Sequence, residues 1–187
     1  STFRIKYQGL CQENGAASAG WAVISITIIG AHKRKGHGGF FVCPITKVAS
    51  DMAAILFVDD TDILHIRMDK DETTAQAHSA IQASILSWGG LLMASGGAFK
   101  PVKCFFHLIA FKWRNDGSWK YDRLENDEQW DVGVPMPDGT MERIEHVPVD
   151  ESRETLGVWS SPSGNNKAAL QSMQTKTHEW LDRAKEG

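Results

Sequence analysis

Cysteine is scarce in this chain: three residues in 187, Cys11, Cys43 and Cys104. They are odd in number and widely spaced, and no Cys-x-x-Cys pair occurs. Neither a disulfide framework nor a cysteine zinc site is therefore indicated, and reduced thiols of a cytosolic or nuclear protein are the simplest reading. Long apolar runs are also missing. The longest, Trp21 to Ile29, is too short for a membrane span, so no membrane partner is expected. No secretory leader is expected either; Ser1-Thr2-Phe3-Arg4-Ile5 reads as the middle of a domain. A surplus of positive charge is absent. With 20 basic and 23 acidic residues the net charge is −3, which excludes the basic balance of a free-standing nucleic-acid binder. Contact with a polyanion would need a local patch, or parts of a larger protein. The seven histidines show no metal-ligand spacing and read as structural or surface residues. There is no internal repeat or low-complexity tract. What remains is an ordinary globular composition, 42% hydrophobic and 23% charged, sufficient for one domain with a real core or one domain plus an appendage.

Local patterns fix several elements. Tyr7 to Gly20 is rich in Gly, Ala, Asn and Gln and reads as a loop. Trp21 to Ile29 is β-branched enough for a strand, yet its unbroken apolar character also fits a buried helix. Ala31 to Gly39 is a basic, glycine-rich connector, and Phe40 to Ile45 is a short strand. Ile81, Ile85, Trp88 and Leu92 share one face of a helix predicted over Asp71 to Met93. Asp69 or Asp71 is the expected cap, and Gly96-Gly97 the stop. Cys104 to Trp113, Asn115-Asp116-Gly117 and Trp119-Lys120-Tyr121 read as a hairpin. Short strands are expected near Gln129–Val134 and Met141–Val147, and another over Glu154 to Ser160. An amphipathic helix closes the chain from Lys167 to Lys185, with Leu170, Met173, Trp180, Leu181 and Ala184 as its apolar stripe. Most tryptophans are expected to pack in the core or on a sheet face.

Phe57-Val58-Asp59-Asp60 carries the most chemical information. The pair of carboxylates lies between Ala54-Ile55-Leu56 and Ile63-Leu64-His65-Ile66, two β-compatible apolar flanks. Adjacent carboxylates at the turn of a largely buried hairpin are costly unless a cation offsets them. Carboxylate-held metal pairs are a common device for phosphoryl transfer. The same four residues also fit an ordinary Asp-Asp turn. Asp62 is placed equally well beside a metal or facing solvent, and His65 reads as a packing residue. His32-Lys33-Arg34-Lys35 fits a solvated loop, a phosphate contact or a nuclear localisation signal.

Taken in order, these patterns form a series. Gly9-Leu10-Cys11-Gln12 with Asn14-Gly15 is followed by the Asp-Asp hairpin, a helix ending near Leu91-Leu92, Lys100-Pro101-Val102-Lys103-Cys104, and Thr155-Leu156-Gly157-Val158. The series resembles the palm of retroelement reverse transcriptases from motif B through motif E, over roughly residues 8 to 160. The resemblance implies an α+β fold, a palm-like antiparallel sheet packed on helices. It divides the chain into a partial palm over residues 1–160 and a helical start of a thumb over 161–187. It also implies that Trp21 to Ile29 is a helix. Asp59 and Asp60 would be catalytic metal ligands for Mg²⁺ or Mn²⁺. Lys103 would sit near the triphosphate and supply a proton to pyrophosphate. Gln12, Asn14 and Gly15 would line nucleotide and template, and Leu156 and Gly157 would form the primer grip. The implied partners of the intact parent are an RNA or DNA template, a primer and a deoxynucleoside triphosphate.

Two departures qualify the function. The motif A aspartate belongs N-terminal to motif B and is not among these residues, so the chain alone is expected to be inactive. Motif B normally reads Gln-Gly, whereas here it reads Gln12-Glu13, whose carboxylate would repel a triphosphate. That change favours an alternative in which the chain is a decayed, non-catalytic binding or assembly module. A strand missing beside the Asp-Asp hairpin would leave an apolar edge and promote self-association.

Overall fold

The computed structural model describes residues 15–57, 60–66, 69, 71–122, 124, 130–155 and 157–185. In chain order these form α1 (Gly15–Arg34), β1 (Gly39–Val42), β2 (Ala49–Met52), β3 (Ala54–Phe57), β4 (Asp60–Ile63) and α2 (Thr74–Ala94). One turn of 3₁₀ helix, Pro101–Lys103, precedes β5 (Phe105–Phe106), β6 (Phe111–Trp113), β7 (Trp119–Tyr121) and β8 (Val132–Pro135). Last come β9 (Met141–His146), β10 (Arg153–Thr155), β11 (Val158–Ser160) and α3 (Lys167–Lys185). The fold is α+β, with small, mostly antiparallel sheets. The chain makes two compact units, one drawn from Ser1–Pro101 and Val132–Arg143, the other from Val102–Asp131 and Ile144–Gly187.

In the first unit, the ambiguous apolar run around Trp21 is helical, and the helix extends beyond it at both ends. Gly15 to Gly20, expected as loop, belongs to α1, as does the basic run through Arg34. Two of its hydroxyls bond within the helix: Ser25 donates to the Ala22 carbonyl at 3.0 Å and Thr27 to that of Val23 at 3.0 Å. α2 begins later than expected, and its cap is Thr73 rather than Asp69 or Asp71. Thr73-Thr74-Ala75-Gln76 closes a capping box: the Gln76 amide donates to Thr73 Oγ1 at 3.2 Å, and Gln76 Oε1 accepts from the Thr73 amide at 2.7 Å. Asp69 instead accepts from the Asp71 amide at 2.9 Å, upstream of the helix. Past the end of α2, Gly96 takes φ +87°, and the Gly97 amide returns to the Leu92 carbonyl at 2.9 Å.

Two contacts seat β8 on α2. The Gln82 side chain donates to the Gly133 carbonyl and accepts from the Gly133 amide, both at 2.8 Å, so one amide group substitutes for a strand neighbour. Gly89 is the second. A Cβ there would stand 2.5 Å from Pro135 Cγ and 2.9 Å from Phe99 Cε2, so the absence of a side chain is what admits Pro135. Trp88, Ile85, Ile28, Ala53, Val132 and Val134 are buried in this unit.

In the second unit, Phe106, Leu108, Ile144, Val147 and Val149 are buried. β5 runs parallel to β9, with Phe105 opposite Glu145 and Phe106 opposite His146. The Asn115-Asp116-Gly117 hairpin forms as expected, pairing β6 with β7. Asp116 Oδ1 accepts from both the amide (2.9 Å) and the hydroxyl (2.6 Å) of Ser118, which hold its carboxyl below the usual range. The 154–160 segment is a hairpin, β10 and β11, turning at Gly157 with φ +76°. Among the tryptophans of the described residues, Trp88 alone is buried; Trp119 packs on the sheet face against Phe111 and Tyr121, as expected, whereas Trp113 and Trp180 are exposed, contrary to the expected packing.

Candidate functional site

β3 and β4 form a hairpin at the expected place, but not the largely buried one expected: Ala54, Ile55, Leu56 and all of Asp60–Ile63 are half-buried or exposed, and Leu64 to Ile66 lie beyond the second strand, so solvent as well as a cation can balance the Asp60 charge. Their antiparallel register pairs Ala54 with Ile63, Ile55 with Asp62, Leu56 with Thr61 and Phe57 with Asp60. Val58 and Asp59, which join the strands, lie outside the described residues. Alternation along β4 leaves Asp60 and Asp62 exposed and Thr61 and Ile63 half-buried, so the two acids share a face. Partial burial raises the Asp62 carboxyl above its ordinary value, and the neighbouring Asp60 charge raises it further. Asp62 therefore belongs with Asp60.

The other expected site residues are not brought to this face by anything described. Gln12, Asn14 and Leu156 lie outside the described residues. Gly15 is the first residue of α1. Lys103 ends the 3₁₀ turn and is exposed, in the second unit. Gly157 holds the β10–β11 turn in that same unit. Among the described residues no group of three or more His, Cys, Asp or Glu side chains is arranged to hold a metal.

A second polar cluster was not anticipated, because its members are far apart in sequence. His32, on the last turn of α1, is fully buried. Its Nε2 lies 3.0 Å from Ser84 Oγ on α2, and its ring meets Trp88 edge-on, with centroids 5.3 Å apart. His37 stacks on it at 4.6 Å. Nearby, His65 Nε2 lies 2.9 Å from Glu72 Oε1, both largely covered.

His32 Nδ1 has no hydrogen-bond partner. The tautomer carrying its proton on Nε2, donated to Ser84, leaves only a lone pair unpaired; the other would strand an N–H, which costs more. Protonation would create that stranded N–H next to His37 and Lys35. Burial, then His37, then Lys35 lower its pKa from 6.5 to about 4. His37 is also lowered, by burial first and then by Lys35 and His65. The pair is thus held neutral at the α1–α2 contact. The only sequence signal for it was the five-residue spacing of His32 and His37 across a glycine-bearing helix end.

No family model, curated protein or solved structure matches the chain. Among the described residues, no helix is long and apolar enough to cross a membrane.

Proposed function

We propose that this chain is palm-region sequence of a retroelement reverse transcriptase, acting in the intact parent in template-directed DNA synthesis by two-metal phosphoryl transfer. The observation that supports it is the β3–β4 hairpin: apolar β3 leads into a two-residue connection containing Asp59, and Asp60 opens the second strand, sharing its exposed face with Asp62. The donor chemistry fits Mg²⁺ or Mn²⁺, since carboxylate oxygens are hard ligands. Asp59 and Asp60 would hold the ion, with Asp62 adding negative field from the same face. The bound ion would supply charge neutralisation at the primer hydroxyl and the leaving pyrophosphate. In this reading Gln12, Asn14 and Gly15 position template and nucleotide, and Leu156 and Gly157 hold the primer end. Lys103 donates a proton to pyrophosphate.

Two carboxylates do not complete such a site, so the chain alone is inactive and binds Mg²⁺ weakly, with a dissociation constant of roughly 1 mM. Primer extension on a primed RNA template tests the first point. No incorporation is expected; template-dependent incorporation abolished by Asp59→Ala would overturn inactivity. Calorimetric Mg²⁺ titration tests the second. Weak binding lost in the Asp59→Ala, Asp60→Ala variant supports the reading. Identical traces for both proteins would favour the second reading, a decayed non-catalytic module, for which Glu13 and the net charge of −3 speak.

A further inference from the structure

None of the described residues of α3 is buried. Its half-buried residues are Ala168, Ala169 and Ser172, at the end nearer β11. Leu170, Met173, Thr177, Trp180, Leu181 and Ala184 fall on one side of the helix at 3.6 residues per turn. That stripe is open to solvent, with Met173 66% and Trp180 62% exposed. The one hydroxyl within it, on Thr177, donates to the Met173 carbonyl at 2.8 Å, so the indole N–H of Trp180 is the remaining side-chain donor of the stripe.

The charges are arranged around this stripe with a definite order. Lys167 and Lys185 lie roughly 90° to one side, and Lys176 and Arg183 roughly 90° to the other. Both acids, Glu179 and Asp182, lie on the opposite face. Lys185 Nζ pairs with Asp182 at 3.2 Å, but both groups are well exposed and the contact is exchangeable.

This arrangement discriminates between occupants. Two copies joined stripe to stripe would set the flanking cations of one against those of the other, with the acids turned away. A nucleic acid would meet the cations but would place phosphates over the apolar centre. An anionic phospholipid surface satisfies both features: hydrocarbon takes the stripe, and headgroup phosphates take cations whose stems lie along its border. Trp180 suits the boundary between the two. We propose that α3 lies in the plane of an anionic phospholipid membrane surface, with its apolar stripe inserted and Lys167, Lys176, Arg183 and Lys185 at the headgroups. Such a helix needs no spanning run, and the proposal does not rest on Asp59 or Asp60.

The test is sedimentation of the full 187-residue chain with vesicles of phosphatidylserine and phosphatidylcholine, against vesicles of phosphatidylcholine alone. Partitioning at least about tenfold stronger onto the anionic vesicles is expected, falling as salt is raised. Lys176→Glu with Arg183→Glu should weaken it by more than about tenfold. Met173→Ser with Trp180→Ser should weaken it comparably, with far-ultraviolet circular dichroism unchanged. The proposal is overturned by equal binding to both vesicle types, or by variants that bind like the parent. It is also overturned by a dimer that Met173→Ser with Trp180→Ser dissolves, or by tighter retention on duplex nucleic acid that those serines leave unchanged.

Discussion

Acid should loosen the contact between α1 and α2 through His32. In the unfolded chain this imidazole titrates near its ordinary 6.5; in the fold its pKa is lowered to about 4. Below pH 6.5 the unfolded state therefore binds the proton more readily, and stability falls as the pH drops from about 6.5 toward about 4. The shift is about 2.5 pH units, and at about 1.4 kcal/mol per unit the full loss is about 3 kcal/mol. At pH 5 about 2 kcal/mol of it has been lost. His37 adds loss in the same direction, since burial, Lys35 and His65 lower it too. The measurement is urea unfolding at pH 7.5 and pH 5 for the parent and for His32→Gln, which cannot titrate and keeps an amide within reach of Ser84. With a urea dependence of about 2 kcal/mol per molar, the parent midpoint should fall about 1 M further than that of the variant. A parallel fall in both proteins, or an imidazole signal of His32 titrating above pH 6 by NMR, would refute the reasoning.

The two glycines inside α2 should respond oppositely to alanine. Gly89→Ala drives a methyl into Pro135 and Phe99, and should destabilise by about 1–3 kcal/mol despite the better helix propensity. Gly90→Ala meets nothing within 4 Å and should stabilise by up to about 1 kcal/mol. Thermal melts of both variants check the pair. Thr73→Ala removes the cap and breaks the box, and should cost about 1 kcal/mol, read from the same melts.

Elements whose signal is local were legible in the sequence. The Asp116-Gly117 hairpin, the body of α2, the Gly96-Gly97 stop and the span of α3 all follow from turn chemistry or from 3.6-residue periodicity. α1 was not decided by its residues, because Val, Ile and Thr weaken a helix reading that tertiary packing restores; the family resemblance tipped the reading toward helix. The cap of α2 departs from the expected Asp69 or Asp71 because Thr73-Thr74-Ala75-Gln76 can close a box that a lone acid cannot, with the Gln76 side chain making the reciprocal bond. At the site, the shared face of Asp60 and Asp62 follows from strand alternation. The His32–Ser84–Trp88 contact could not be seen in advance: His32 lies 52 positions from Ser84 and further from Trp88, and only the packing of α1 on α2 brings them together.

Four of the sheets among the described residues have only two strands. Each such ribbon offers every second backbone N–H outward, with no third strand to accept it. In deuterated solvent, alternate amides of β1, β2, β3, β4, β6, β7, β10 and β11 should therefore label almost as fast as free peptide. The slowest amides should cluster on the covered turns of α1 and α2. The isotope pattern would follow helix cover rather than the hydrophobicity of the sequence, and Leu56, apolar but with its amide on the bare edge of the ribbon, should label early.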